Sequence, residues 1–131
     1  MVSARIKFIT VIYILILAGI VVLADVGETQ FLFRFVRKLP CGDKIGHFLL
    51  MGMFSLMLNL ALSAKSVRIW NFNYLLGSLI VLAIVTTEEV SQIFIRGRTF
   101  DTGDLMADAA GIFIFGGIAR SVIKKPYFSQ R

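Results

Sequence analysis

Four long apolar segments, residues 6–24, 45–63, 73–95 and 105–123, restrict what this 131-residue chain can fold into. A helix needs about 20 apolar residues to cross a hydrocarbon core about 30 Å thick. Because lipid offers no hydrogen-bond partners, the backbone of such a segment must satisfy itself within a helix. The sequence therefore predicts an all-α, polytopic membrane protein, a bundle of four transmembrane helices.

The overall composition supports this interpretation. Hydrophobic residues make up 57% of the chain, and its mean hydropathy is +0.82. A soluble domain of this composition would expose large apolar patches. We interpret residues 1–131 as one domain. The first segment has an alternative as a signal peptide, because Arg5 and Lys7 precede an apolar run that ends in Val22-Leu23-Ala24. That run exceeds the usual length of about 7–15 residues. We therefore predict a retained helix.

The connection between the first two helices, residues 25–43, is not evenly polar. Phenylalanines and basic residues alternate in its middle: Phe31, Phe33, Phe35, Arg34, Arg37 and Lys38. Such a segment suits the membrane interface, with its rings in lipid and its cations at the headgroups. We predict an interfacial loop or short helix here, ended by Pro40 and Gly42.

Basic residues differ in number between the two ends of the predicted bundle. The end with both termini and the loop 64–72 carries eight and no acid: Arg5, Lys7, Lys65, Arg68, Arg120, Lys124, Lys125 and Arg131. The other end carries six: Arg34, Arg37, Lys38, Lys44, Arg96 and Arg98. Because Lys and Arg near spans favour the inside, we predict cytoplasmic termini. Membrane edges also explain the net charge of +6, so we predict no nucleic-acid binding.

The acidic residues and the only histidine all fall toward the end opposite the termini. They are Asp25, Glu28, Asp43, Glu88, Glu89, Asp101, Asp104, Asp108 and His47. A charge beside or inside an apolar helix costs several kcal/mol if it has no partner. The clustering therefore predicts a polar site at that end. Asp43 and His47 share a helical face one turn apart, and Asp43 is also predicted to cap its helix.

The third helix contributes two adjacent glutamates. Glu88 and Glu89 point about 100° apart around the helix, so we expect one of them to serve the cluster. Gln92 shares a face with either.

The fourth helix contributes Asp104 and Asp108, four residues apart on one face. These carboxylates repel unless a cation, a proton or Arg98 lies between them. A simpler alternative pairs Arg98 with Asp104 or Asp101. Three later glycines are predicted to let a neighbouring helix approach closely: Gly111, Gly116 and Gly117.

The order of these motifs resembles the VanZ-like family of small bacterial membrane proteins. The resemblance covers roughly residues 43–117 and rests on Asp43-Lys44-x-x-His47, Glu89-x-x-Gln92, Arg98 and Asp104-x-x-x-Asp108-x-x-Gly111. Asp108 stands where the resemblance implies an asparagine. The resemblance implies a multi-pass protein of the bacterial inner (plasma) membrane and specifies no reaction.

Three functions are compatible with this cluster. In the first, Lys44 and Arg98 hold an anionic lipid-linked headgroup. His47 and either Glu89 or Asp104 then act as catalytic acid and base. Further ligand-binding residues would be Gln92, Asp43 and Asp108. The second function is non-catalytic binding of an envelope lipid, a glycopeptide or a partner protein. The third is a structural network that joins the helices. The sequence leaves open whether the protein is an enzyme.

Cofactor and partner predictions follow from the same residues. The spacing matches no dedicated metal motif, so we predict no cofactor, although one histidine with several carboxylates leaves a divalent cation such as Mg²⁺ or Ca²⁺ open. The predicted partners are membrane lipids, and the oligomeric state stays open. Cys41 is the only cysteine and forms no internal disulfide.

Overall fold

A computed structural model of the protein describes residues 3–27 and 34–124. Its elements in chain order are the helices α1 (Ala4–Asp25), α2 (Arg34–Arg37) and α3 (Gly42–Ala61), the strands β1 (Ser66–Ile69) and β2 (Phe72–Leu75), and the helices α4 (Leu76–Ser91) and α5 (Thr102–Lys124). A 3₁₀ turn, Gln92–Phe94, extends α4.

The four long helices confirm the predicted all-α transmembrane bundle. Each of them is long and apolar enough to cross a membrane when the 3₁₀ turn is counted with α4. The predicted bounds differ by a few residues. Helix α3 already begins at Gly42, and α4 begins only at Leu76, because residues 72–75 pair as a strand with residues 66–69.

The connection before α3 contains the short helix α2. The Phe35 side chain is 73% exposed on it, in keeping with a ring directed into the membrane interface. Phe31 and Phe33, on which the same prediction rested, lie outside the described residues.

The core of the bundle is a cluster of apolar side chains from all four long helices. It consists of Leu17, Phe54, Val81, Val85 and Ile112. Around it, many large apolar side chains point outward on every long helix, as lipid-facing surfaces require. The core therefore fixes helix positions while the outer faces remain available to lipid.

Helices α3 and α5 make the most extensive contact among the described elements. Gly111 permits it, because a Cβ atom there would collide with the backbone carbonyl of Phe48. Gly116 likewise lies against the Ser78 hydroxyl. The prediction for Gly117 is wrong, since that glycine faces open space. Close backbone approach through small residues is a common way to pack helices in lipid.

A buried polar trio, Ser55, Asn59 and Ser78, joins three helices near the end of α3 and the start of α4. Asn59 Nδ2 donates to Ser78 Oγ at 2.9 Å, and Ser55 Oγ donates to the Ile112 carbonyl at 2.8 Å. Sequence analysis did not anticipate this trio. Hydrogen bonds of this kind hold α3, α4 and α5 together where no water competes.

The two ends of the bundle differ in character. Helices α1 and α4 end, and α3 and α5 begin, at one end, which we call the acidic end. The strands β1 and β2 form an antiparallel hairpin at the other, which we call the hairpin end.

Candidate functional site

His47 lies on the second turn of α3 and is held by a buried carboxylate of α5. Its Nδ1 atom is 3.0 Å from Oδ1 of Asp108, whose side chain is only 2% exposed. Its Nε2 atom is 3.6 Å from Oδ2 of Asp104. An ionised carboxylate can only accept, so Nδ1 carries the hydrogen in the pair with Asp108. Nε2 is left as the nitrogen that can exchange a proton.

Lys44 bridges two acids at the start of α5. Its Nζ atom lies 3.1 Å from Asp104 Oδ1 and 3.2 Å from Asp101 Oδ2. The repulsion between Asp104 and Asp108 is therefore relieved by Lys44 and His47. Sequence analysis had considered Arg98 for this position, and the structure shows two groups from α3 instead.

Asp101 is a residue of this network to which sequence analysis gave no main role. Its Oδ1 atom accepts a hydrogen bond of 2.7 Å from the Gly103 amide at the start of α5. This bond and the Lys44 ammonium lower the pKa of Asp101 below its ordinary value. What this carboxylate contributes to stability is present above its ordinary pKa and is lost as the pH falls through the lowered one. The sequence does contain a signal for this role, because an aspartate just ahead of an apolar helix often accepts hydrogen bonds from the first backbone amides of that helix.

The two glutamates of α4 serve different partners. Glu89 is fully buried, and its Oε1 atom accepts the Asp101 amide at 3.0 Å. Glu88 Oε1 accepts from Gln92 Nε2 at 2.8 Å, and the same amide lies 3.3 Å from Glu89 Oε2. We had expected one glutamate to serve the cluster. Both do so: Glu89 accepts the Asp101 amide, and Glu88 lies beside Arg98.

Arg98 sits between two carboxylates without a close contact to either. Its Nε atom is 3.9 Å from Asp25 Oδ1, and its Nη2 atom is 3.7 Å from Glu88 Oε1. The alternative that Arg98 pairs with Asp104 or Asp101 is wrong. The loop turns at Gly97, where φ is +84°, and the guanidinium reaches the ends of α1 and α4. Both distances exceed ordinary hydrogen-bond lengths, so these two carboxylates leave its N–H groups able to bind a ligand.

Asp43 is exposed in the first turn of α3. The N-cap of that helix is Cys41, so the predicted capping role of Asp43 is wrong. Asp43 lies instead beside His47 and Asp104. Asp43, His47 and Asp104 each have one atom that could bind a metal ion, and these three atoms lie within 4.8 Å of one another.

A cavity of about 300 Å³ opens among these groups, bounded by α1, α3, α4 and the loop before α5. Its polar lining comprises Asp43, His47, Glu88, Gln92, Arg98, Thr99 and Asp104. Helix α1 supplies an apolar wall of Leu17, Ile20, Val21 and Ala24. Lys44, Glu89 and Asp108 do not line the cavity themselves, but they contact Asp104, Gln92 and His47, which do. The space is therefore amphiphilic, and the roles assigned to its residues stay predictions.

The VanZ/LLP1 family model matches residues 7–124, nearly the whole of the described bundle. The chain belongs to the VanZ/LLP1 family. This confirms the resemblance inferred from the motifs at Asp43, Glu89 and Asp104. Membership of VanZ/LLP1, with four helices able to span a bilayer, makes the chain a multi-pass membrane protein. No curated protein and no solved structure matches it.

Proposed function

We propose that this VanZ/LLP1 protein binds the anionic headgroup of a membrane amphiphile at its acidic end. The observation that carries the proposal is the cavity with one polar side and one apolar wall. An amphiphile needs both, because its headgroup seeks charged donors and its chain seeks apolar surface. Arg98 is the guanidinium in the lining, and a planar guanidinium suits phosphate or carboxylate.

His47 is the proposed proton-transfer group for a headgroup held there. Asp108 fixes its ring, and Nε2 faces Asp104 across 3.6 Å. A histidine held by a buried carboxylate is a common arrangement for acid–base chemistry. Asp104 is a better partner than Glu89, because Asp104 lines the cavity and Glu89 does not.

A divalent cation is the second candidate ligand. The polar lining holds three carboxylates, Asp43, Glu88 and Asp104, against one guanidinium and one imidazole. This excess of negative charge favours a cation, and oxygen ligands with one nitrogen suit Mg²⁺ or Mn²⁺. A cation near Asp43, His47 and Asp104 would also strengthen the binding of a phosphate.

Retention of phosphatidylglycerol by the purified protein tests the proposal. We expect Arg98→Gln to reduce retention roughly tenfold, which corresponds to about 1.4 kcal/mol and to the loss of charge-assisted hydrogen bonds. Arg96→Gln is the matched control, because Arg96 is exposed on the same loop and does not line the cavity. Native mass spectrometry would measure both variants against the parent, with phosphatidylethanolamine as the competing lipid.

The outcomes separate the alternatives. Equal retention by folded Arg98→Gln and Arg96→Gln would overturn headgroup recognition and leave the structural network. Repeating the measurement with Mg²⁺ and with a chelator tests the second candidate. Retention that needs Mg²⁺ and is lost in Asp43→Asn would favour cation binding at the site.

The proposed orientation puts the acidic end outside and both termini in the cytoplasm of a bacterial cell. Its support is the excess of Lys and Arg at the hairpin end, without any acid there. Cys41 is exposed at the acidic end and is a natural probe. We expect a membrane-impermeant thiol reagent to label Cys41 in intact cells. A Cys41→Ser/Ser66→Cys variant, with its thiol on the hairpin, should be labelled only after lysis, and the opposite pattern would reverse the orientation.

A further inference from the structure

The hairpin between α3 and α4 has one apolar face and one polar face. Its register pairs Ile69 with Phe72 and Val67 with Tyr74. Because successive side chains in a strand alternate between faces, these four lie on one face. Residues Ser66, Arg68, Asn73 and Leu75 lie on the other. The hairpin is therefore amphipathic up to Leu75, which is the one apolar residue on the second face.

The polar face is the one turned toward the bundle. Leu75 is buried, and its side chain lies against α5, where a Cβ atom added at Gly116 would be 3.4 Å from Leu75 Cδ1. Ser66 and Asn73 of the same face line a small cavity together with Arg120 of α5, which also donates to the Asn73 carbonyl at 3.4 Å. The part of the apolar face next to the turn is left uncovered by the described part of the chain, since Phe72 is 66% exposed and Ile69 is 44% exposed, whereas Val67 and Tyr74 are half-buried.

Trp70 occupies the tip of the hairpin under unfavourable backbone geometry. It is the first of two turn residues, it has a φ of 54°, and its side chain is 91% exposed. Positive φ at this place in a two-residue turn favours glycine, and a bulky side chain there is strained. Contacts with the described part of the chain bury little of the indole, so they do not offset this strain. A strained and exposed tryptophan points to a contact outside the protein.

We propose that the hairpin inserts its tip and apolar face into the lipid–water interface at the hairpin end of the protein. The chain leaves the last turn of α3 at Ala61 and enters α4 at Leu76, so the hairpin emerges at the membrane surface. Residues 62–75 contain Lys65 and Arg68 and no acid, which suits anionic headgroups. Tryptophan and tyrosine favour this interface because one ring carries both apolar and polar edges.

A second copy of the chain is a weaker candidate for covering this face. Strands of four residues are about 13 Å long, and two paired strands are about 5 Å apart. Such a patch is small beside the roughly 800 Å² per partner of a stable protein interface. A bilayer needs no complementary shape, and it is already in contact with the adjoining helices.

The single tryptophan of the sequence makes the proposal directly measurable. The full chain would be reconstituted at low density in vesicles of phosphatidylglycerol and phosphatidylethanolamine. We expect blue-shifted Trp70 emission, strong quenching by lipids brominated near the headgroup end of the acyl chain, and weak quenching by aqueous acrylamide. Strong acrylamide quenching without bromine quenching would overturn the proposal. If Trp70 is shielded from both quenchers and this shielding increases with protein density, a second copy of the chain covers the face and the proposal is overturned.

Paired variants separate insertion from folding. Ile69→Ser/Phe72→Ser makes the exposed face polar, and we expect it to lose most of the bromine quenching. Asn73→Ser changes one side chain on the opposite face and should keep it. Both variants leave the backbone pairing available, and thermal unfolding in detergent checks that they fold. If the double variant folds and is quenched like Asn73→Ser, the apolar face does not hold the hairpin in lipid.

Discussion

Gly111→Ala is expected to destabilise the bundle by about 3 kcal/mol, as overpacking of a tight interior does. The new Cβ atom would meet the backbone carbonyl of Phe48, which cannot rotate away as a side chain would. Helices α3 and α5 would have to separate. These helices also carry His47 and Asp108, so the variant should lengthen that contact as well.

Gly117→Ala is the matched control, because that glycine lies on the same helix and faces open space. It should leave stability unchanged or raise it by about 0.5–1 kcal/mol through the better helix propensity of alanine. Unfolding of both variants in mixed detergent, followed by circular dichroism, gives the comparison. Equal stability of the two variants would mean that α3 and α5 do not approach each other through Gly111.

The four spans were predictable because lipid imposes one requirement on every residue of a segment. A run of apolar residues long enough to cross the core has few alternatives to a helix. The ends of the spans were less predictable. Helix α3 includes Gly42 and Asp43 because its first turn extends beyond the apolar run into the polar end of the bundle.

The gathering of polar groups at one end was also predictable, whereas their pairing was not. Helical periodicity places Asp104 and Asp108 on one face but does not say which cation faces them. That depends on the rotation of α3 against α5, which brings Lys44 and His47 to them. The position of Arg98 depends in turn on the loop, with its left-handed turn at Gly97.

The hairpin was missed for a different reason. Residues 64–72 were interpreted as a short loop and residues 73–75 as the start of a helix. Apolar residues occupy every second position in both strands, Val67 and Ile69 in the first and Phe72 and Tyr74 in the second. Only two residues separate the strands. Strong hydropathy on the carboxyl side hid this period of two, because Leu75 and α4 form one continuous apolar run.

Asp108→Leu should show how far the His47 pair holds the site together. The substitution leaves the Nδ1–H group of His47 without its acceptor among apolar helices. The His47 side chain is 25% exposed, so losing its buried acceptor costs about 2 kcal/mol, as for a donor left without a partner. Asp108→Asn is the control, because its amide oxygen still accepts from Nδ1 in nearly the same volume. We expect the asparagine variant to stay within about 1 kcal/mol of the parent, since a neutral acceptor replaces a charged one.

The single histidine of the chain allows a readout that general misfolding does not mimic. Nitrogen NMR of histidine-labelled protein, recorded at a pH above that at which the imidazolium loses its second proton, distinguishes a neutral ring protonated on Nδ1 from one protonated on Nε2. Asp108 fixes the proton on Nδ1 in the parent, and Asp108→Asn should keep it there. Asp108→Leu should release the ring into a mixture of tautomers, even in the fraction that remains folded. If the leucine variant matched the asparagine variant in both stability and tautomer, Asp108 would neither orient His47 nor prepare Nε2 for proton transfer in the cavity.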